Sequence, residues 1–406
     1  MADKRRIVIV GSTGSIGQST LRVVERYPER LEVVGLAAGT NASLLAEQAQ
    51  RWRPEVVALA DAAGLERLRQ GLSGTSCEVL AGPEGLAELA GWPSADTAVI
   101  ATVGFSGVRP TLAAIEARKR VALANKETLV TAGSIVMPLA EARGVDLVPI
   151  DSEHSAIAQC LRAGGDHEVE RLILTASGGP FRTRSPETFG DITPEEALAH
   201  PTWRMGPRIT IDSATMMNKG FEVIEAAWLF GMTPDRVDVV IHPESIIHSM
   251  VEFRDGSVIA QMGEPDMTLP ITYALFAPER LSAVAETPRY DPRTSGSLHF
   301  EDPDPTRFPA LALARQAWAA GPTGGAVLNA ADEVAVEAFL AGKLSFPGII
   351  ELVRAVLDDH EVVRDADIDD IEAADRWARM QARRRIETVG RHEPPAGYAR
   401  TAERLT

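Results

Sequence analysis

Between residues 7 and 150 short β-branched runs alternate with helix-period segments, and this alternation constrains the fold more than any other feature of the chain. The runs are Ile7 to Val10, Leu31 to Ala37, Glu55 to Ala60, Thr97 to Val103, Val121 to Ala124 and Asp146 to Ile150. Strands that are apolar throughout must be buried on both faces, so helices have to cover both sides of a parallel sheet. A doubly wound α/β domain over residues 1–150 is therefore predicted. Ligands of such sheets lie beyond the carboxyl ends of the strands, which makes the residues just after each run the ones to inspect.

After the first run comes Gly11-Ser12-Thr13-Gly14-Ser15-Ile16-Gly17, followed by a helical stretch from Ser19. Glycines at a strand-to-helix turn let the backbone approach a pyrophosphate, which the open N–H groups and dipole of the helix start attract. The spacing, G-x-x-G-x-x-G, is a weak signal alone; its place between a strand and a helix strengthens it. The second run ends Ala37-Ala38-Gly39-Thr40-Asn41, without the acidic residue that would accept from a ribose 2′-hydroxyl. That omission favours NADP over NAD, although no Arg or Lys stands at 40 or 41 to meet a 2′-phosphate.

The formal net charge is -16, so the far field repels polyanions and nucleic acid is not an expected partner. A small anionic ligand then needs local positive charge, for which Lys126 and Lys219, set among apolar runs, are candidates. Two cysteines, Cys77 and Cys160, without C-x-x-C spacing, give neither a zinc knuckle nor a disulfide framework. Met1 to Arg6 is a charged stub rather than a signal segment, and no run reaches the ~20 apolar residues of a membrane span. A cytoplasmic protein with no membrane partner is expected.

The last run of the first domain leads to Asp151-Ser152-Glu153. Unit charges about 4 Å apart repel by about 4 kcal/mol at an effective dielectric of about 20, so two such carboxylates call for compensation. A hard divalent cation supplies it; otherwise the pair is solvated at a helix N-terminus. A second polar cluster lies in Arg208 to Glu225, where RITI reads as strand-like, Asp212-Ser213 as an N-cap step and the rest as helix. There Asn218, Lys219 and Glu222 share a helix face and could hold a phosphate and complete a metal site, or form a surface pair. Between the clusters, Thr175-Ala176-Ser177-Gly178-Gly179 ends a strand with residues small enough for an anion to approach. Residues from about 180 to 207 read as a loop carrying His200, Trp203 and Gly206, a lid over a substrate or a loop anchored by its Trp.

Taken in order, GSTGSIG, LANKE, IDSEHSA, TASGGPFR, HPTWRMG, IDSATMMNKG and IHSMVEFRDGSVIAQMGEPDM resemble the 1-deoxy-D-xylulose 5-phosphate reductoisomerase family, and LNAADE extends the likeness. The resemblance implies an NADPH-dependent homodimeric enzyme of the non-mevalonate isoprenoid pathway that uses Mg²⁺, Mn²⁺ or Co²⁺. It would rearrange and reduce 1-deoxy-D-xylulose 5-phosphate to 2-C-methyl-D-erythritol 4-phosphate. It implies metal ligands at Asp151, Glu153 and Glu222, and substrate contacts at Ser152, Ser177, His200, Ser213, Asn218, Lys219 and Glu222. Lys126, Glu153, His200 and Trp203 are implied to serve the chemistry. Cofactor contacts are implied at Thr13, Gly14, Ser15, Ile16, Gly39, Thr40, Asn41, Asn125, Lys126, Glu127 and Gly206. Three positions depart from the pattern: Thr40 replaces a lysine of some members, and Glu244 and Asp332 stand where amides are expected.

The remaining chain suggests an α+β catalytic and dimerisation domain over 151–276, a proline-rich linker over 277–305 and a C-terminal helical bundle over 306–406. Residues 237–265 read as strands around a hairpin turn at Arg254 to Ser257. The alternative activity is that of a semialdehyde or homoserine-type NADP-dependent dehydrogenase. The first lacks an obvious catalytic Cys here, and neither explains three acidic residues at metal-ligand positions.

Overall fold

The computed structural model describes residues 4–389 apart from Arg204, Ala285, Glu286 and Ser295; the stretch from Arg391 that matches no family motif lies outside them. Two compact units form. One gathers the chain up to Leu129 with Gly133–Thr175 and Glu225–Phe300; the other gathers Val130–Ala132, Ala176–Ile224 and the chain from Glu301.

In the first unit β1 (Arg5–Val10), β2 (Leu31–Ala38), β3 (Val56–Leu59), β4 (Glu78–Ala81), β5 (Thr97–Ile100), β6 (Arg120–Leu123) and β7 (Leu147–Pro149) form one sheet. Its order is β4-β3-β2-β1-β5-β6-β7, and its pairings are parallel. The expected doubly wound sheet is therefore present. The connecting helices are α1 (Ser15–Arg26), α2 (Ala42–Trp52), α3 (Leu65–Gly71), α4 (Gly82–Ala90), α5 (Val108–Glu116) and α6 (Glu127–Arg143), and α7 (Ser152–Cys160) follows β7. Strand order reverses beside β1, which puts a crevice at the carboxyl ends of β1 and β5. One strand, β4, was not legible as an apolar run, because an edge strand buried on neither face needs no such run.

Further along come β8 (Val169–Ala176), α8 (Pro194–Leu198), α9 (Pro207–Thr215), α10 (Met217–Leu229), β9 (Val237–Ile241), β10 (Ile247–Phe253), β11 (Val258–Met262) and α11 (Thr268–Phe276). A second sheet has the order β11-β10-β8-β9, with β10 antiparallel to both neighbours. The hairpin expected at Arg254 to Ser257 is there: Gly256 takes a positive φ and the Asp255 carboxylate accepts from the Ser257 amide at 2.9 Å. In the first unit the buried core joins Ile7, Ile9, Leu36, Leu45 and Leu59 with Ile271 and Leu275 of α11.

The strand-like reading of RITI is corrected. Pro207 at the first helical position, with Gly206 before it, starts α9 ahead of Ile209. Burial of Thr210, Ile211 and Ala214 at helical spacing then outweighs the β preference of three branched residues. Asp212 and Ser213 consequently lie inside α9 rather than capping a helix. The break comes at Met216, whose left-handed φ of 64° ends α9 before α10 begins.

The second unit ends in four helices, α12 (Ala310–Ala320), α13 (Gly324–Leu340), α14 (Phe346–Asp358) and α15 (Ile368–Val389), as the amphipathic patterns predict. The buried α13 packs against the others. Its first two positions have no room for side chains: a Cβ at Gly325 would fall on the carbonyl oxygen of Val130, and one at Gly324 on that of Ala317. In an open helix Gly→Ala stabilises by about 1 kcal/mol. Here Gly325→Ala is expected to destabilise by roughly 1–3 kcal/mol, because backbone atoms must move. The midpoint of urea unfolding checks the sign.

Candidate active site

The loop between β1 and α1 is built for close backbone approach. Gly11 has a φ of 98°, and a Cβ there would strike the Ala101 carbonyl; a Cβ on Gly17 would strike the carbonyl of Gly11. Helix α1 thus sits directly on the loop, which any larger residue would push away. Ser12 donates to Oε1 of Gln48 at 2.7 Å, and Gln48 Nε2 donates back to the Ser12 carbonyl at 2.9 Å, fixing the loop. Gly14 brings no side-chain cap and the first turn of α1 has no acidic residue, so its N–H groups suit an anion. Thr13, Gly14, Ser15 and Ile16 form this turn, while Gly39, Thr40 and Asn41 are exposed at the end of β2. Asn41 also caps α2, accepting from the Leu44 amide at 3.1 Å.

At the end of β6, Asn125 is buried and donates to the carbonyls of Thr102 and Gly104 at 3.1 and 3.0 Å, and to Glu127 at 2.8 Å. Glu127 accepts in turn from the Gly104 amide at 3.0 Å. These two residues therefore brace the loop after β5, a structural duty beyond the cofactor contacts implied for them.

Lys126, between them, is buried and lies 2.5 Å from Asp151. Asp151 is the residue before α7, and Ser152 and Glu153 open that helix. Burial raises the Asp151 carboxyl, but the Lys126 ammonium, helped by the nearby His154 ring, outweighs it and holds the acid well below the usual carboxylate range. Ser152 donates to Glu153. His154, fully buried, was not among the expected site residues; its Nδ1 is 3.7 Å from Asp151 and 3.3 Å from Glu225. The ligand atoms of Asp151, His154 and Glu225 lie within 4.8 Å of one another. The spacing Glu222-x-x-Glu225 and the histidine of DSEHSA were the signals available for finding them.

In the second unit Ser177 and His200 meet, Ser177 Oγ lying 3.1 Å from His200 Nε2. His200 Nδ1 accepts from the amides of Thr202 and Trp203 at 3.1 and 2.9 Å, so the ring proton of neutral His200 is on Nε2, which donates to Ser177. Burial lowers the His200 pKa, which keeps the ring neutral at pH 7. Ser177 also accepts from the Gly179 amide at 3.2 Å, and Gly179 passes so close to Ser213 that a Cβ would lie 2.8 Å from the Ser213 carbonyl. Trp203 is half-buried, and Gly206 is exposed just before α9.

On α10, Asn218 donates to one oxygen of Glu222 at 2.5 Å and Lys219 pairs with the other, as their helical spacing predicts. Both Lys219 and Glu222 are buried, which excludes the solvated surface pair. A buried ammonium and amide beside a carboxylate can bind anionic oxygen on one side and a cation on the other.

Family models match residues 7–133, 147–230 and 262–381, described as 1-deoxy-D-xylulose 5-phosphate reductoisomerase and two C-terminal domains of that enzyme. The chain belongs to this family. Its relatives include the 1-deoxy-D-xylulose 5-phosphate reductoisomerase of Pelotomaculum thermopropionicum, 54% identical over 376 residues, covering 92% of this chain and 97% of the relative. That of Heliobacterium modesticaldum is 52% identical over 384 residues, covering 94% and 97%. Among solved structures, the Zymomonas mobilis enzyme in complex with NADPH is 42% identical with a TM-score of 0.88, covering 95% of this chain and all (100%) of that one. A reductoisomerase in complex with NADPH, fosmidomycin and magnesium is 39% identical with a TM-score of 0.90, covering 96% and 100%.

Within this reductoisomerase framework Asn125 is the test of the brace. Asn125→Ala is expected to leave buried carbonyls of the β5 loop without donors and to cost roughly 1–3 kcal/mol. Thermal unfolding at fixed pH reads the loss.

Proposed function

We propose that this chain performs its family's reaction with the residues of the two acidic clusters and the glycine loop in the roles set out below. The reaction converts 1-deoxy-D-xylulose 5-phosphate to 2-C-methyl-D-erythritol 4-phosphate in isoprenoid biosynthesis, with NADPH and a divalent metal. The observation that carries the reading lies in the first unit: the glycine turn after β1 and the Asp151/Glu153 pair after β7 both follow the carboxyl ends of strands in one parallel sheet. A pyrophosphate-binding turn and a cation-binding pair on one edge suit a cofactor and a metal that serve one substrate.

Asp151, Glu153 and Glu222 are the proposed metal ligands. Their all-oxygen anionic donor set fits Mg²⁺ or Mn²⁺. Asp151 stays ionised because Lys126 and His154 hold it so, which readies it for a cation at neutral pH. Ser177, Ser213, Asn218 and Lys219 are the proposed phosphate holders, Lys219 bringing positive charge against the chain's acidic field. His200, neutral and with its proton on Nε2, donates rather than repels, and Trp203 covers the substrate with its loop. Lys126, paired with Asp151, is the proposed contact to substrate oxygen. Ser152 supports the substrate beside Glu153. Thr13 to Ile16, Gly39 to Asn41, Asn125 to Glu127 and Gly206 are the proposed cofactor contacts, the hydroxyl of Thr40 serving where a lysine is absent. When bound, the metal supplies Lewis-acid stabilisation of oxygen anions during the rearrangement, and NADPH supplies the hydride for the reduction.

The purified protein is expected to oxidise NADPH, followed at 340 nm, only when both 1-deoxy-D-xylulose 5-phosphate and a divalent cation are present. Turnover unaffected by chelation would overturn the metal reading. Glu222→Gln is expected to lower kcat at least about a hundredfold, since a ligand charge is lost, and also to lower the melting temperature, since the buried Lys219 loses its counter-charge.

A homodimer is the proposed assembly. Strand β11 is the edge of its sheet, and Val258, Ile259 and Met262 on it are large apolar residues that stay exposed. Edges of this kind are rarely left bare, and a second copy covers this one in the proposed dimer. The described residues include no helix long and apolar enough to cross a membrane. Ile259→Asp is expected to weaken self-association at least about tenfold in sedimentation velocity.

A further inference from the structure

The loop that carries His200 is closed on itself within the second unit. Its two ends meet where Ser177 Oγ lies 3.1 Å from His200 Nε2. A second tie crosses the loop further in, where Arg184 Nη1 donates to Oε1 of Glu196 at 2.8 Å. Arg184 is itself held. Its Nε donates to Thr188 Oγ1 at 3.1 Å, its amide donates to the Phe181 carbonyl at 3.1 Å, and its guanidinium lies 5.5 Å from the centre of the Phe181 ring. Phe181 is buried and packs edge-on against Phe346 of α14 at 5.1 Å, so the guanidinium stands on a fixed platform.

Glu196, in the first turn of α8, is equally fixed. Its Oε2 accepts from the Thr193 amide at 3.0 Å, while Thr193 Oγ1 accepts from the Glu196 amide at 3.3 Å. The Thr193 amide, then the Arg184 guanidinium, hold its carboxyl below the ordinary range, so the pair is charged at neutral pH. Two tight turns lead from Glu196 to the site: the Ala199 amide donates to the Glu196 carbonyl at 3.2 Å, and the His200 amide to that of Leu198 at 3.0 Å. Little slack is left between the carboxylate that Arg184 grips and the imidazole that meets Ser177. We infer that Arg184 is a positioning residue, which through Glu196 holds α8 and the His200 ring against Ser177 before substrate arrives. The inference rests on the proposed contact of Ser177 and His200 with the substrate. A partly exposed ion pair contributes little when both side chains must be ordered to form it. Here the aromatic platform and the helix cap have already ordered them, so little freedom remains to be lost.

Hydrogen exchange and steady-state kinetics on the full-length protein test this. Arg184→Ala removes the tie from one side; Glu196→Gln removes the charge from the other and keeps the helix cap, since an amide oxygen also accepts from the Thr193 amide. Without ligand, each variant is expected to speed amide exchange in residues 196–203 about threefold to tenfold and to leave β1 and β2 unchanged. Each is expected to raise the KM for 1-deoxy-D-xylulose 5-phosphate about fivefold, with kcat and the KM for NADPH within about twofold. The double variant is expected to exceed the larger single effect by no more than about 1.5-fold, because both changes remove one interaction. Unchanged exchange in both variants, or effects that multiply in the double variant, would overturn the tie. Faster exchange with an unchanged KM would overturn its service to the substrate. Exchange needs no turnover, so a protein inactive on this substrate whose loop still loosens would strike the functional reading and leave the tie standing. Glu196 is exposed, so Glu196→Gln reads the tie even where Arg184→Ala fails to fold.

Discussion

The pairing of Lys126 with Asp151 is the interaction on which the proposed chemistry depends. A carboxylate buried without a partner takes up a proton and ceases to be a ligand for a cation. Asp151 is buried enough for that outcome, and it is the ammonium from the end of β6, helped by His154 at the start of α7, that keeps it ionised. Adjacent strands of one parallel sheet deliver the two partners. The sheet thereby sets a protonation state as well as a position, and protonation state decides whether Asp151 can serve a metal at all.

The same economy of charge recurs in the second unit. Lys219 and Asn218 divide the two oxygens of Glu222, so a fully buried carboxyl is met by contacts that a single helix supplies. Around Arg208 a guanidinium is shared by Glu333 and Asn329, and helices α9 and α13 meet through it. His200 belongs to this pattern: burial keeps its ring uncharged, and the amides on Nδ1 choose the tautomer that donates to Ser177.

Backbone geometry contributes a second kind of control. Gly11, Gly17 and Gly179 each stand where a Cβ would meet another backbone atom, so the helices and turns beside them approach more closely than side chains permit. These contacts explain why the small-residue motifs GSTGSIG and TASGG sit at strand ends: an anion can reach amide groups there because nothing projects between.

Residue order alone determined the parallel sheet, because uninterrupted apolar strands can be buried only with helices on both faces, and it determined the shared face of Asn218, Lys219 and Glu222, because helical spacing is local. Motif order disclosed the family, since seven segments in sequence carry far more information than any one of them. Tertiary structure decided the rest. The helix through RITI appeared only once burial of Thr210, Ile211 and Ala214 outweighed the β preference of its branched residues, and β4 escaped notice because an edge strand needs no apolar run. His154 and Glu225 lie about seventy positions apart, so no spacing rule could join them; the fold brings them within 3.3 Å. The charge on Asp151 was equally hidden from the chain, for it depends on burial and on partners that only folding supplies.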